Sequence, residues 1–524
     1  MDGTAVDGSQ ARQGRNVMRA SPILMVAVAT ALVLPGVRPA RAAEGDNCVK
    51  VLGYESSGQK ESMDPVDHAS SDDSYRLLNV YDRFVDADDN FVVKPAIAES
   101  WTMSDGGKTW VFKIRQGVKF HSGKDLTAKD VYFSFARIVD PNFPNGAKSV
   151  FDWLKADNMK VLDPYTIQFS FDKPLVDLPG LLANKHNLIV PDGSTHDQLR
   201  LHEDGSGPFM QEKFSPGGAF VILKRNPNYW GGPAKSECVR ITISQEPVQA
   251  VAELKSGQVD LVLQVDPSVI STVKDDPNVQ LLSTPASNSM TISMMVDTKP
   301  FNDNRVRQAM KLSIDRQAMI NTVLLGFGEV GNDNPVPLSS PFAYQTEAPQ
   351  RDIAKAKALL AEAGYPNGLD IDLYTAEAIP GMTKEAQVFK EMAADAGIRV
   401  NVIVTPSDSY WDNIWLKKPL INSGWNMRSP AEGLSYAYTR SAKYNETHWF
   451  REDYDNLLLQ AAQTPDADAR ADLYKKAEKM LADEGGVIIP MFVHQVVAVR
   501  KGCSGYVPHA SAYNVRLNDF ACGG

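Results

Sequence analysis

Residues 95–131 read PAIAESWTMSDGGKTWVFKIRQGVKFHSGKDLTAKDV. Within them, Trp110-Val111-Phe112-Lys113-Ile114-Arg115 alternates apolar and polar side chains, the pattern of a strand with one face on a core. Asp105-Gly106-Gly107 and Gln116-Gly117 bracket it with residues that turn a chain. Leu126-Thr127-Ala128-Lys129-Asp130 then opens a helix, with Thr127 as its cap and Asp130 three residues on. The stretch is therefore a turn, a strand, a Gly-marked turn and a capped helix.

Similar signals extend in both directions. Thr166–Phe171 and Phe220–Lys224 alternate as strands. Apolar residues at Val306, Ala309, Met310, Ile314, Met319, Ile320 and Val323 give Asn304–Leu325 a helical period. Asp352–Ala363, ended by Gly364 and Pro366, and Ala469–Ala482 read as helices. Lys384–Ala396 is a helix that stops at Gly397, and Ile398–Val404 follows as a strand. Strands alternate with helices from about 285 to 490, as in an α/β lobe. With 524 residues the chain exceeds a single ordinary core of ~100–200 residues, so two or three lobes are expected.

Charged residues make up 23% of the chain and the formal net charge is −10. That balance argues against a nucleic-acid partner, which favours a basic face, and against a polybasic role at a membrane surface. Ile23–Leu34 reads ILMVAVATALVL, short of the ~20 residues of a membrane span. Arginines precede it, Pro35-Gly36 breaks it, and Ala40-Arg41-Ala42 supplies small residues for cleavage after Ala42. Residues 1–42 are thus expected to be a leader, with Met18 a candidate start. Gly45-Asp46-Asn47 before Cys48 is not a lipid-attachment box, so a soluble periplasmic protein is expected. Four cysteines in an oxidising compartment suggest two disulfides. Three connectivities are possible. If Cys503 joins Cys522 in a short C-terminal loop, Cys48 joins Cys238 and ties two strand-like segments together.

The stretch 95–131 resembles the signature segment of the peptide- and nickel-type extracellular solute-binding proteins (family 5), which serve ABC importers. Four more landmarks follow in that family's order. They are Gly207-Pro208-Phe209 with Arg225-Asn226-Pro227-Asn228-Tyr229-Trp230; Ala252–Asp260; Phe301-Asn302-Asp303 leading to Ile314-Asp315-Arg316; and Leu359–Tyr365. The resemblance implies an α/β two-lobe periplasmic binding protein clamp (class II, cluster C type), with an additional domain inserted in the first lobe. The lobes then run 43–75 with 205–284 and 490–524 for the first, 76–204 for the extra domain, and 285–489 for the last. It also implies a non-enzymatic protein that captures a peptide-like solute between lobes and passes it to an inner-membrane permease, working as a monomer. No cofactor and no metal are expected.

The resemblance places the ligand site at Gly424, Trp425, Asn426, Met427 and Arg428, with Ser70, Trp411 and Phe492 as further candidates. Peptide-binding relatives carry an Asp, the partner of the peptide α-ammonium, where this chain has Arg428. A guanidinium suits a carboxylate or phosphate instead. Alternatively Arg428 pairs with a protein carboxylate such as Glu432. Other solutes remain open for such a cleft: an opine-like conjugate, a sugar, or a metal–metallophore complex, for which the named segments offer only His68. An envelope hydrolase is a weaker alternative, since no G-x-S-x-G, H-E-x-x-H or Walker pattern occurs. His196 and His202 are expected on a surface loop.

Overall fold

The computed structural model describes residues 47–523 except 55–60, 69–70, 90, 144, 146, 149–150, 152, 219, 245, 341, 346, 427 and 512–513. The expected leader lies outside the described residues, as do Ser70 and Met427. No helix among the described residues is long and apolar enough to cross a membrane.

Eleven strands form one mixed sheet. In spatial order they are Ile398–Val404, Leu369–Thr375, Leu420–Asn426, Val279–Met294, Val487–Arg500, Leu261–Val262, Val49–Tyr54, Cys238–Ser244, Val221–Arg225 and Phe209–Lys213, with Gly328–Val330 paired beside Val487–Arg500. The two long strands in the middle pair antiparallel in two stretches. Val279–Thr284 lies against Gln495–Arg500 and Asn288–Ser293 against Val487–Val493, with the register broken between Thr284 and Asn288. Each stretch belongs to a different half of the sheet. A separate antiparallel sheet runs Ala98–Ser104, Thr109–Ile114, Thr166–Ser170, Met159–Asp163. Helix Ala128–Val139 covers it, burying Val131, Phe135 and Ile138. Asp130 starts this helix by accepting the Thr127 N–H at 2.8 Å.

Leu369, Ile371 and Leu373 point inward while Asp370 and Asp372 point out, the period of two that a half-buried strand requires. Helix Met382–Ala394 lays Met382, Ala386, Phe389 and Ala393 on that core. The helical period from Asn304 to Leu325 proves to be two helices, Asn304–Leu312 and Arg316–Val323. Asp315 accepts the Ala318 N–H at 2.9 Å and starts a new helix, so a local cap interrupts a continuous apolar pattern.

Landmark residues and their neighbours are fastened by polar contacts between segments distant in the chain. Buried Asp82 accepts hydrogen bonds from Ser206 Oγ (2.9 Å), Tyr229 Oη (3.1 Å) and Trp230 Nε1 (2.8 Å). The Arg115 guanidinium stacks 4.4 Å over the Trp230 ring. Asp260 accepts the Lys50 N–H and pairs with Arg500. Arg307 and Lys311, one turn apart, donate to the carbonyls of Glu484 (2.5 Å) and Ala482 (2.6 Å). These carbonyls lack partners at the end of helix Ala467–Glu484, and cations there also meet the negative end of the helix dipole.

Cys48 is joined to Cys238 and Cys503 to Cys522. The first bond fastens two parallel neighbours in register, Val49 opposite Val239. It closes a loop of 190 residues, so its loss is expected to cost about 2–5 kcal/mol. A Cys48→Ser/Cys238→Ser variant should therefore unfold at lower urea, and non-reducing peptide mapping of the parent should return these two links.

A second expectation concerns Glu385, which is fully buried, with Asn422 Nδ2 donating to it at 2.7 Å. Burial pushes its carboxyl from 4.5 up to about 8. The folded state then holds a proton that the unfolded chain gives up, so stability falls as pH rises from 4.5 to about 8. The slope is roughly 1.4 kcal/mol per pH unit. Glu385→Gln should flatten that part of a urea-midpoint-versus-pH curve.

Candidate functional site

Strand Leu420–Asn426 is buried at Leu420–Ser423 and partly open from Gly424 onward. It stays paired to the central strand, Trp425 opposite Ser289 and Asn426 opposite Asn288. Its end therefore projects from the core as a rigid edge. Ser429 then caps helix Pro430–Tyr436, its hydroxyl accepting the Glu432 N–H. That helix sets Glu432 and Tyr436 one turn apart on one side. Arg428 reaches back to both: its Nε lies 3.2 Å from Glu432 Oε1 and its guanidinium 4.1 Å over the Tyr436 ring. Nη1 donates to the Asn426 carbonyl at 2.9 Å.

Behind this edge, buried Glu446 accepts Trp425 Nε1 (3.0 Å), Trp415 Nε1 (2.7 Å) and Ser293 Oγ (2.7 Å). The carboxylate thus fixes two indoles. Tyr444 stacks on Trp415 at 5.6 Å and on Tyr436 at 5.4 Å. An aromatic platform is held from behind by one charge, and its rings carry area at little conformational cost.

Asn426, Arg428, Glu432, Tyr436 and Tyr444 form one wall of a cavity of about 1190 Å³. The facing wall comes from early and late segments, including Asp67, His68, Asp88, Lys185, His186, His196, Arg200 and His509. Charges of both signs stand on the lining. His68 donates from Nδ1 to the Lys185 carbonyl and accepts Ser74 Oγ at Nε2, and burial keeps it far below the usual imidazole range. Burial likewise pushes His186 down to about 3. Both are neutral. Asp67 is raised, chiefly by burial. Glu432 is also raised by loss of hydration among its neighbours, against the pull of Arg428. Part of its side chain still meets solvent in the cavity.

Of the sequence candidates, Asn426 and Arg428 line the cavity. Trp425 and Phe492 line a smaller recess beside it. Gly424 sits where a Cβ would strike Ile379 at 2.7 Å, so close packing is its role in the fold. Trp411 stands edge-on to Tyr410 and Trp415, 40% exposed, and does not line the cavity. One expectation is corrected. His196 opens helix His196–Leu199 rather than a loop, held by Asp64 at 3.0 Å, and it faces the cavity. His68 is joined there by three other histidines far from it in sequence, because the fold brings 183–200 and 509–514 to the same wall. Tyr436 and Tyr444 were missed. The Ser429-Pro430-x-Glu432 cap signal marks the helix that presents Tyr436, whereas nothing local marks Tyr444.

Comparison with known proteins gives a consistent picture. Residues 92–446 match the family described as "Bacterial extracellular solute-binding proteins, family 5 Middle". The chain is 29% identical over 447 residues to heme-binding protein A of Haemophilus influenzae, covering 77% of this chain and 80% of that one. It is 26% identical over 503 residues to the dipeptide-binding protein of Escherichia coli, covering 87% and 92%. Among solved structures it is similar to HbpA2 from Haemophilus parasuis, with a TM-score of 0.77 and 25% identity over 91% of this chain and 100% of the other. The chain belongs to family 5 of the bacterial extracellular solute-binding proteins, the non-catalytic, substrate-capturing components of ABC importers.

Proposed function

We propose that this chain captures a peptide-like solute in the periplasm, between its first lobe with the inserted domain and its last lobe, and delivers it to the permease. The lobes are 43–75 with 205–284 and 490–524, 76–204, and 285–489. The leader is removed, no lipid anchors the product, and it acts as a monomer. One observation carries the ligand class: Arg428 and Glu432 stand as a cation–anion pair on the cavity wall, 3.2 Å apart. Such a pair complements an ammonium and a carbonyl or carboxylate oxygen three bonds away, the head of a peptide or of an amino acid. Glu432 takes the ammonium in place of the Asp that Arg428 displaces. Arg428 donates to the oxygen, a charge-assisted bond that its planar fork favours. Asn426 and Trp425 flank the pair. The solute stabilises the closed clamp because it touches both walls.

Intrinsic tryptophan fluorescence tests this reading, since Trp415 and Trp425 lie in the platform. The protein is titrated with α-linked and γ-linked tripeptides, N-acetylated and amidated forms, sugars and opine-like conjugates. Free-amine peptides are expected to give a saturable change that N-acetylation weakens. Arg428→Ala and Glu432→Gln should each weaken binding by about 1.5–3 kcal/mol, the range of a hydrogen bond to a charged group. Unchanged affinity in the folded variants would remove the pair from the site. Because Glu432 is raised, its anionic form fades on acidification before that of an ordinary carboxylate. Affinity for free-amine peptides should fall correspondingly early, while N-acetylated ones should show no such loss.

A metal-bearing solute is the second reading, since the imidazoles of His186, His196 and His509 also stand on the cavity lining. Nickel–histidine and haemin titrations check it: a shifted ligand absorption band that His196→Ala or His509→Ala abolishes would replace the peptide reading.

A further inference from the structure

Two separate cores adjoin the cavity. One lies against the sheet that contains Thr109–Ile114 and takes in Trp110, Leu178 and Leu182. The chain leaving helix Leu178–Leu182 runs straight into Ala183, Asn184, Lys185 and His186 of the cavity wall. The other core takes in Leu434, Tyr454, Tyr474 and Leu481. Tyr454 Oη donates to the Leu434 carbonyl at 2.7 Å. Helices Pro430–Tyr436, Glu452–Gln463 and Ala467–Glu484 thus share one core, and the first of them carries Glu432 and Tyr436 on the cavity wall.

The two bodies touch at Leu175, Val176 and Asp177. Leu175 is fastened to its own sheet: its N–H donates to the Gly107 carbonyl at 2.9 Å, and its carbonyl accepts Trp110 Nε1 at 2.9 Å. The next N–H crosses between the bodies, Val176 donating to the Ala462 carbonyl at 3.5 Å. That carbonyl lies in the last turn of helix Glu452–Gln463, where helical partners run out. Asp177 follows at the cap position of helix Leu178–Leu182, yet it caps nothing, and its carboxylate accepts no hydrogen bond among the described residues. Arg470 and Tyr474 act on it from helix Ala467–Glu484, and no charged group of its own side does so. Helix Glu452–Gln463 meets the turn through the Ala462 backbone. Arg470 is held in place, Nη1 donating to the Thr464 and Pro465 carbonyls at 3.0 and 3.1 Å. Burial pushes the Asp177 carboxyl from 3.8 up to about 6, against the pull of Arg470. Tyr474 is raised as well, by burial first and then by the Asp177 charge.

We propose that this contact is a closure latch: it forms when the two walls of the cavity come together, parts when they separate, and holds with a strength set by the charge on Asp177. A charged carboxylate drawn from water without a hydrogen bond is costly, so the closed contact favours the neutral acid. Opening returns Asp177 to water and to its ordinary value. The closed form therefore binds the extra proton, and the latch tightens as pH falls from about 6 toward 3.8. Above about 6 it is at its weakest, with only Arg470 offsetting the buried charge. A contact that favours closure raises the apparent affinity for whichever solute the closed form holds. The inference depends on clamp motion and not on the peptide-like reading.

Amide hydrogen exchange of the ligand-free protein tests it, read residue by residue by mass spectrometry with electron-transfer fragmentation. Two neighbouring amides serve as probe and control. Leu175 reports its own sheet, and Val176 reports the contact between the bodies. After correction for intrinsic exchange rates, Val176 protection is expected to rise about tenfold between about pH 7.5 and about pH 5. Leu175 protection should stay within about twofold, since it opens with a different unit. Asp177→Asn should hold Val176 near its acid level of protection at both pH values. An unprotected Val176 amide, or one that follows Leu175 across the range, overturns the latch. An undiminished pH response in Asp177→Asn overturns the part given to its charge. The two amides of the parent protein decide the latch even where the variant does not fold. Failure of peptides to bind bears on the solute and leaves these amides to be read independently.

Discussion

Two long strands, Val279–Met294 and Val487–Arg500, carry the whole architecture. Their antiparallel hydrogen bonds run through one core cluster, break register, and continue through another. A covalent linker could wander, but a paired ribbon fixes which sheet edges face each other. Its ladder is interrupted between Thr284 and Asn288, the kind of irregularity that leaves backbone groups unpaired. The candidate cleft lies beside that break: Asn288 follows it on one strand and pairs with Asn426, which lines the cavity.

Around this ribbon, buried charged residues at and beside the family landmarks are scaffold. Asp82 draws Ser206, Tyr229 and Trp230 into one knot, although they come from segments about 120 to 150 residues further along the chain. Asp260 bridges the first strand and the C-terminal end of the last long one. Arg307 and Lys311 finish a helix whose end would otherwise leave buried carbonyls bare. Each is a charged group spent on backbone, on hydroxyl and indole donors or, for Asp260, also on Arg500. Replacing one would strand its partners in a low-dielectric interior, where an unpaired polar group is costly. The chemistry of recognition is left to positions between these knots.

The platform illustrates how such positions gain precision. Glu446 is buried, yet it faces the core and not the cavity, holding Trp415 and Trp425 by their indole N–H groups. Tyr444 and Tyr436 stack on that base, and Arg428 lies over Tyr436. A flexible guanidinium is thereby confined by a ring below it, Glu432 beside it and a carbonyl behind it. Its geometry is set before a solute arrives, which lowers the ordering cost of binding.

Local sequence determined the elements whose signals are short-range. The capped helix at Thr127, the alternating strand at Leu369–Thr375 and the stop at Gly397 follow from side-chain chemistry within a few residues. It also carried the family landmarks, and hence the clamp. Even there, a local cap at Asp315 divided a helix that periodicity alone joins. Tertiary structure decided everything that depends on distance along the chain. It brought His186, His196 and His509 to the wall with His68, and turned Trp411 away from the cavity while Tyr444 entered the platform. Apolar period and capping residues report which face of an element is buried. They carry no information on which distant element covers that face, because this is settled by packing among cores built from separate stretches of the chain.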